Sequence, residues 1–565
     1  MNKNSGIIIP LQKLLLLIIP AFYLFAGLNF RLILENISLR SIDPEYIYFI
    51  SGLSIAEGHL KVAHIDNPGT PLQFLIALVF RITYLFRGNS MSFAEDVLSH
   101  SDLYLSIVNM VITLLLSVAL LITGKYTLKK TGSVCYAILF QTFLFIPVIW
   151  YEIIGRITPE LLMPLPIMAI SMLYLRQVAD QKEKFSWKEL ILFAAILGFA
   201  LSIKLTMVLL FILPAISVTG WKRKLYVIVL SLIFFLIFSI PVTLQLENFW
   251  HWIRDLFLHS GQYGSGEKNI VDLTLMKENI EKIVHLDRYY LFLVLMGIAL
   301  SIFSFAWFLK HKNTKGLRLV KFTFSILAAI LLQVLVTSKQ FQPRYFIPAL
   351  LLAPVLLYFL LEILKTYFPQ KTVFTGINVF LVIFFIWNIN RQFGTIDYTS
   401  EAMQNSMNER IKSWHLAESF EKESIKIIVS QDYGSPFKEY ALLYSTAWSA
   451  NKLKPYYAEI LGKLYPNTYQ YTTWDGKFRY WANEFDPEKI IGQNLPVYLY
   501  LQNDSEELLN KTMLKINPDD SYLVTQKELH KNPLNHEVFY QLFFTHNNTG
   551  NQDLSDKSNT SETNF

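Results

Sequence analysis

The chain has 565 residues, of which 53% are hydrophobic and 17% are charged. A soluble protein of this length has about a quarter charged residues, so the composition excludes an ordinary soluble protein. The net charge of +6 does not indicate a nucleic-acid partner, because the basic residues stand in short clusters between apolar runs. The single cysteine, Cys135, excludes an intrachain disulfide and a cysteine metal cluster.

Apolar runs long enough to cross a bilayer recur from residue 7 to about residue 390. Five clusters of lysine and arginine separate them, and short basic loops stay in the cytoplasm. Placing all five inside requires an even number of spans between neighbouring clusters. This rule predicts about eleven transmembrane helices, with the N-terminus in the cytoplasm and the C-terminal region outside. The predicted spans are 7–28, 103–123, 133–150, 158–175, two short spans within 187–219, 225–243, 289–309, 322–337, 344–364 and 373–387.

Two stretches decide this count. Residues 187–219 are too long for one span, and the parity of the basic loops predicts two short helices with a turn near Ser202–Lys204. Residues 71–86 are apolar but short and carry Arg81. Counting them as a span would place all five basic clusters outside the cytoplasm, so we predict an interfacial or re-entrant helix on the outer side.

The sequence therefore predicts an all-α polytopic membrane domain followed by an extramembrane mixed α/β domain. The membrane domain covers residues 1–390 and includes a large first outer loop, 29–102. Residues 391–545 have the mixed composition of a soluble domain. Residues 546–565 are rich in Asn, Ser, Thr and Asp, which predicts a disordered tail.

The first outer loop carries the most informative polar residues. Asp43 and Glu45 flank Pro44 just after the first span, and His64 and Asp66 precede a Pro-Gly turn. A carboxylate near the membrane surface can act as general base toward a hydroxyl acceptor, and a second can orient it or bind a metal. The alternative is structural: Asp43 caps a helix, with Pro44 at its first position and Glu45 in its first turn. Both interpretations are open.

Three further residues are candidates for binding a phosphate group. Arg344 and Tyr345 begin the tenth predicted span, where an arginine can bind a lipid phosphate or simply anchor the helix at the interface. Lys204 is a charge between two short apolar helices, where charges are costly and are usually functional. Its alternative is a lysine that reaches up to the interface.

Two loop segments complete the set of candidates. Arg156 precedes Glu160 in the loop between the third and fourth spans and can pair with it or with a first-loop carboxylate. His259 begins a Gly-rich turn, residues 259–266, which lacks the lysine of a P-loop and suits either a loop over a substrate or a linker. His64, His251 and His259 are not at metal-ligand spacing. One Asp/Glu pair allows a divalent cation without requiring one.

The order of these features resembles the GT-C glycosyltransferases, nearest the protein-mannosyltransferase and aminoarabinose-transferase branch. The resemblance covers residues 1 to about 390 and rests on the order of four motifs, none specific alone. Pro44 splits the acidic pair and the Pro-rich turn is altered, which are departures from the family pattern. The matching segments are Asp43-Pro44-Glu45-Tyr46, Asn67-Pro68-Gly69-Thr70-Pro71-Leu72, Ile203-Lys204-Leu205-Thr206 and Arg344-Tyr345-Phe346-Ile347-Pro348.

The resemblance implies an inverting transferase that moves a sugar from a polyprenyl-phosphate donor to a glycan, lipid or protein hydroxyl. Its place would be the outer face of a bacterial cytoplasmic membrane, the inner membrane where there are two. Asp43 would be the general base with support from Glu45, and Lys204 and Arg344 would hold the phosphate leaving group. A multi-pass transporter or flippase is the alternative, but the halves of the chain do not repeat and the charges gather toward one face. A noncatalytic assembly protein is a further alternative, although so many spans exceed what an anchor needs.

Overall fold

The computed structural model describes residues 5–34, 36–88, 90–259, 266–269, 272–429, 434–473, 475–481 and 483–547. The chain divides into two compact units. The first contains residues 1–35, 47–91 and 100–403, and the second contains residues 36–46, 92–99 and 404–565.

The first unit is helical, as the long apolar runs require, because a helix satisfies its own backbone hydrogen bonds. The predicted fold class, a helical membrane region with a mixed α/β C-terminal region, is confirmed. Within the described residues, eight helical stretches are long and apolar enough to cross a membrane: Lys13–Ile33, Thr70–Arg87, Ser101–Thr131, Pro159–Ala179, Arg288–Lys310, Thr314–Ser338, Pro343–Tyr367 and Thr372–Ser419.

The break predicted within residues 187–219 is present. An α-helix ends at Ile203, Lys204 has an extended backbone (φ −162°, ψ 142°), and a 3₁₀ helix and a short α-helix follow. The Met207 amide donates to the Lys204 carbonyl at 3.0 Å, so the break keeps local hydrogen bonds. This geometry places a charged side chain between two apolar helices.

The helix predicted to be interfacial runs from Thr70 to Arg87. Its length and composition also satisfy the requirements for a span, so its placement in the membrane and the sidedness of the loops stay predictions. One face buries Leu72, Ile76 and Phe80, whereas Phe86 is exposed. The exposed apolar side chains suit contact with lipid in either placement.

The second unit contains a seven-stranded mixed sheet. Its central strand, Ile425–Val429, pairs in parallel with Thr468–Thr472 on one side and Val497–Leu501 on the other. Antiparallel strands extend both edges. Ile427 and Leu499 of the central strands lie in the buried core that helices cover. Only His546 and Asn547 of the predicted tail fall within the described residues.

The helices and strands follow in chain order. The α-helices before the sheet are α1 Ser5–Ile33, α2 Ile37–Arg40, α3 Glu45–Ala56, α4 Thr70–Arg87, α5 Phe93–Ser99, α6 Ser101–Thr131, α7 Val134–Gln141, α8 Pro164–Ala179, α9 Trp187–Ile203, α10 Ile212–Ser217, α11 Trp221–Phe238, α12 Ile240–Thr243, α13 Leu246–Leu258, α14 Leu273–Leu286, α15 Arg288–Lys310, α16 Thr314–Ser338, α17 Ile347–Leu350, α18 Ala353–Tyr367 and α19 Lys371–Ser419. The remaining elements are β1 Ile425–Val429, α20 Lys438–Thr446, α21 Lys454–Leu464, β2 Thr468–Thr472, β3 Lys477–Tyr480, β4 Asn483–Glu484, β5 Val497–Leu501, α22 Glu506–Ile516, β6 Tyr522–Lys531 and β7 Val538–His546.

Candidate functional site

A buried charge cluster forms within the first unit. The Lys204 ammonium group donates a hydrogen bond to Glu160 Oε1, and Arg344 Nε lies 4.0 Å from the same oxygen. Glu160 is 1% exposed and Lys204 is 5% exposed. Two cations therefore share one carboxylate in a place where unpaired charges would be costly.

Each member of the cluster sits where a regular helix is interrupted. Glu160 lies in the 3₁₀ turn Pro159–Leu162, and Lys204 stands at the break between α9 and the next 3₁₀ helix. Arg344 lies in the 3₁₀ turn Pro343–Phe346, which begins with a proline. Proline favours the start of a helical turn, and interrupted helices at membrane depth are tolerated where protein surrounds them.

The aromatic ring of Tyr345 lies near both cations. The Lys204 Nζ atom lies 4.7 Å from the centre of the Tyr345 ring, and Arg344 Cζ lies 5.6 Å from it. The Gln333 side-chain amide donates to the Tyr345 carbonyl at 2.6 Å, which fixes this turn against α16. Arg344 Nε also donates to Gln342 Oε1 at 2.8 Å. The arginine side chain remains 22% exposed, so it can still meet a ligand.

A cavity of about 350 Å³ lies beside the cluster. Tyr345, Thr206 and Lys339 supply polar groups to its wall, and Lys339 Nζ donates to the carbonyls of Leu256 and Phe257 at the end of α13. The remaining wall is largely apolar. It includes Leu205, Val208, Trp252, Leu256, Leu335 and Val336.

The Pro-Gly turn of the first loop reaches the same cavity through Asn67. The Gly69 amide donates to the Ile203 carbonyl at 3.2 Å, directly before Lys204 in the chain. Gly69 has a left-handed backbone (φ +60°), and an added Cβ would lie 2.5 Å from Tyr48 Cε1. Glycine is therefore required here both by the backbone and by the close approach of the tyrosine.

His64 and Asp66 precede this turn and lie together. His64 Nδ1 is 3.3 Å from Asp66 Oδ1, and the Tyr48 ring packs edge-on against the imidazole at 5.0 Å. The Gln73 side chain donates to the His64 carbonyl at 3.0 Å. Burial raises the pKa of Asp66, but the charge and hydrogen bond of His64, together with backbone hydrogen bonds, outweigh it and hold the pKa below its usual value.

The acidic pair belongs to the second unit. Asp43 is exposed, and its carbonyl accepts a hydrogen bond from Ser41 Oγ at 2.6 Å. Glu45 is 1% exposed and stands in the first turn of α3, as the structural interpretation expects. The helix begins at Glu45 rather than Pro44, so Asp43 does not directly precede it.

Arg156 and His259 are the other two predicted residues. The Arg156 carbonyl accepts from Asn109 Nδ2 at 2.8 Å, and the ion pair of Arg156 with Glu160 or with a first-loop carboxylate stays a prediction. His259 directly follows α13, and its amide donates to the Asp255 carbonyl at 3.0 Å. Residues 260–265 of the Gly-rich turn lie outside the described residues.

The structure thus unites Lys204, Arg344 and Tyr345, which the sequence singled out, with Glu160, which it treated only as a neighbour of Arg156. A signal for Glu160 exists in the sequence: it is a carboxylate at the start of an apolar span, where charges are rarely tolerated without a partner. Among the described residues, no three His, Cys, Asp or Glu side chains gather as metal ligands.

No protein-family model and no curated protein matches the chain. Solved structures do align. ArnT from Cupriavidus metallidurans bound to undecaprenyl phosphate aligns over 95% of this chain and 98% of its own, at 12% identity and a TM-score of 0.46. The Archaeoglobus fulgidus oligosaccharyltransferase aligns over 94% and 74%, at 11% identity and a TM-score of 0.42. Its complex with Zn and sulfate aligns over 94% and 73%, at 11% identity and a TM-score of 0.41.

These neighbours include the aminoarabinose transferase that the sequence resemblance names. With TM-scores below 0.5, the alignments assign no activity, ligand or residue role to this chain.

Proposed function

We propose that this protein is a membrane glycosyltransferase that transfers a sugar from a polyprenyl-phosphate donor to an acceptor hydroxyl with inversion. The observation that carries the proposal is the buried cluster of Lys204 and Arg344 around Glu160, beside a largely apolar cavity whose wall also carries polar groups. A lipid-linked phosphate needs this combination of cations and apolar surface.

The charge balance of the cluster suits a phosphate leaving group. Lys204 and Arg344 place two positive charges around the one negative charge of Glu160. The donor phosphodiester has one negative charge, and a second develops as the sugar–oxygen bond breaks. Fixed cations at that position stabilise the transition state more than the ground state.

Glu160 would keep the two cations in fixed positions from which both can reach the donor phosphate. Without it, two positive side chains in an apolar surrounding would repel each other and turn toward the surface. Tyr345 supports the same arrangement, because both cations lie near its ring. The cluster is thus ordered before the donor arrives.

Asp43 would take the proton of the acceptor hydroxyl, with Glu45 in support; this assignment rests on the sequence. The acceptor oxygen attacks the anomeric carbon as the bond from that carbon to the phosphate oxygen breaks. Polyprenyl phosphate leaves, and the configuration inverts. Asp43 is exposed and so can meet an acceptor, whereas Glu45 is buried.

The apolar wall of the cavity would receive the first isoprene units of the donor. The acceptor would be a glycan, a lipid or a protein at the outer face of a bacterial cytoplasmic membrane. His64, Asp66, Arg156 and His259 remain proposed binding residues, and the division into residues 1–390, 391–545 and 546–565 remains part of the proposal. A divalent cation, which the Asp43 and Glu45 pair allows without requiring it, also remains part of the proposal.

The test is sugar transfer by the purified protein in lipid nanodiscs. Isotope-labelled polyprenyl-phosphate sugars would be supplied with lipid, glycan and peptide acceptors, and products would be followed by mass spectrometry. We expect donor consumption with release of polyprenyl phosphate, and its loss in Asp43→Asn. Wild-type activity in both Asp43→Asn and Glu45→Gln would contradict the proposed base.

A further inference from the structure

The segment that carries the acidic pair is part of the C-terminal unit. Residues 36–46 group with residues 404–565, although more than three hundred positions separate them in the chain. The Ser435 amide donates to the Ser38 carbonyl at 2.9 Å, and Arg410 Nη1 donates to the Leu39 carbonyl. These bonds attach the short helix α2 to α19 and to the segment before α20.

The attachment is close-packed at Gly434. Its φ of +131° is a conformation that other residues rarely adopt. A Cβ at this position would lie 2.9 Å from the carbonyl oxygens of both Leu39 and Arg40. The backbone of Gly434 therefore approaches the end of α2 as closely as a glycine allows.

The distance along the chain from this attachment to the acidic pair is short. Ser41 follows α2 in an extended conformation, and its hydroxyl donates to the Asp43 carbonyl at 2.6 Å. The Tyr46 amide donates to the Ile42 carbonyl at 2.9 Å. Local hydrogen bonds thus span the whole of residues 41–46, so a shift of α2 would pass directly to Asp43 and Glu45.

We propose that Arg410 is a positioning residue that holds residues 36–46, and with them Asp43 and Glu45, in the geometry that sugar transfer needs. This inference rests on the proposed function, in which Asp43 is the general base. It gives the C-terminal unit a part in the reaction. Arg410 itself touches a backbone carbonyl and no reacting atom.

The first test compares three variants of one helix. Arg410→Gln should lower kcat by about tenfold to a hundredfold, because a displacement of about 1 Å has that effect, while the donor KM stays within about threefold of wild type. Arg410→Lys should recover part of the loss, since an ammonium group can still donate to Leu39. Lys412→Gln is the matched control: it removes a charge two residues further along α19, where the side chain is 63% exposed, and should leave kcat unchanged.

The second test restores the attachment by other means. Ser38→Cys and Ser435→Cys would be introduced with Cys135→Ser, and a disulfide formed by oxidation should join the two positions. In the Arg410→Gln background, oxidation should raise kcat toward wild type, and reduction should reverse the gain. A purely structural loss of folded protein would show no such reversible recovery.

The outcomes separate the two proposals. An unchanged kcat in Arg410→Gln, or no recovery when the disulfide forms, would overturn the positioning role while the proposed function stands. Absence of sugar transfer by the wild-type protein would overturn the proposed function and the positioning role with it. Failure of the two cysteines to crosslink would overturn the attachment itself, whatever the activity.

Discussion

Lys204 donates a hydrogen bond to Glu160, a residue 44 positions earlier in the chain, and both side chains are almost fully buried. Arg344 approaches the same carboxylate from a third part of the sequence. The pair is therefore the structural centre of the proposed phosphate site. The pair can be tested by mutation, because breaking a buried ion pair lowers stability whereas losing a catalytic charge lowers activity.

Removing the Lys204 ammonium group should affect both stability and activity. Lys204→Met leaves Glu160 buried with a more distant partner, and we expect a loss of about 3 to 5 kcal/mol in the free energy of unfolding. The double variant Lys204→Met/Glu160→Gln should recover most of that stability, because both members of the buried Lys204–Glu160 pair become neutral together. Its transfer activity should stay low. Thermal unfolding in detergent and donor turnover measure the two effects, and recovery of both together would contradict a role in catalysis.

Arg344 should matter for donor affinity. Arg344→Gln removes a charged donor from the phosphate, and we expect the donor KM to rise by about tenfold to a hundredfold. The donor KM of Arg344→Lys should lie between those of the wild type and Arg344→Gln, because a lysine keeps the charge but cannot make the planar two-bond contact of a guanidinium group. Arg254→Gln is the control, since that arginine is on the same unit and its side chain is 51% exposed. Equal effects at both arginines would point to general electrostatics rather than to a phosphate site.

The Pro-Gly turn offers a matched pair of glycines. Gly69 and Gly88 both have a left-handed backbone, but a Cβ meets Tyr48 at the first and open space at the second. Gly88→Ala should therefore cost only the backbone strain, about 1 to 2 kcal/mol. Gly69→Ala should cost about 1 to 3 kcal/mol more from overpacking. Similar unfolding midpoints for the two variants would show that the close approach to Tyr48 is absent.

The environment of Asp66 predicts that the folded protein loses stability at acid pH. Its pKa is lowered in the folded protein, so its contribution to stability is complete above the unfolded pKa and is lost as the pH falls through the folded value. Thermal stability of the wild type should therefore drop more steeply below about pH 4 than that of Asp66→Asn. His64→Gln should flatten the dependence in the same way, because it removes the partner at 3.3 Å. An identical slope in all three proteins would contradict this account.

The predicted sidedness can be measured by cysteine labelling. In a Cys135→Ser background, Lys315→Cys places a thiol in a basic cluster at the start of α16, and Lys511→Cys places one on an exposed face of the C-terminal unit. An impermeant maleimide should label only residue 511 in intact cells and both positions after permeabilisation. Labelling of residue 315 alone in intact cells would show that the topology is the reverse of the predicted one.

The sequence predicted those features that depend on local pattern. The break at Lys204 followed from the length of an apolar run and the parity of basic loops. Lys204 became a candidate because charge is costly among apolar residues, and Arg344 because an arginine at the start of a span can bind a lipid phosphate. The contacts of Glu160 with Lys204 and Arg344 could not be predicted, because Arg156 four residues earlier is a good local candidate and the two cations are distant in the chain. The attachment of residues 36–46 to Arg410 depends on a backbone carbonyl, which no side-chain pattern reveals.

The central claim is that the Lys204, Arg344 and Glu160 cluster binds the phosphate of a lipid-linked sugar donor. The most direct measurement is single-turnover transfer from an isotope-labelled polyprenyl-phosphate sugar, compared between wild type and the stable Lys204→Met/Glu160→Gln variant. We predict transfer with inverted anomeric configuration by the wild type, and a rate at least about a hundredfold lower for the variant. Equal rates in the two proteins, or no transfer from polyprenyl-phosphate donors by the wild type, would contradict the claim.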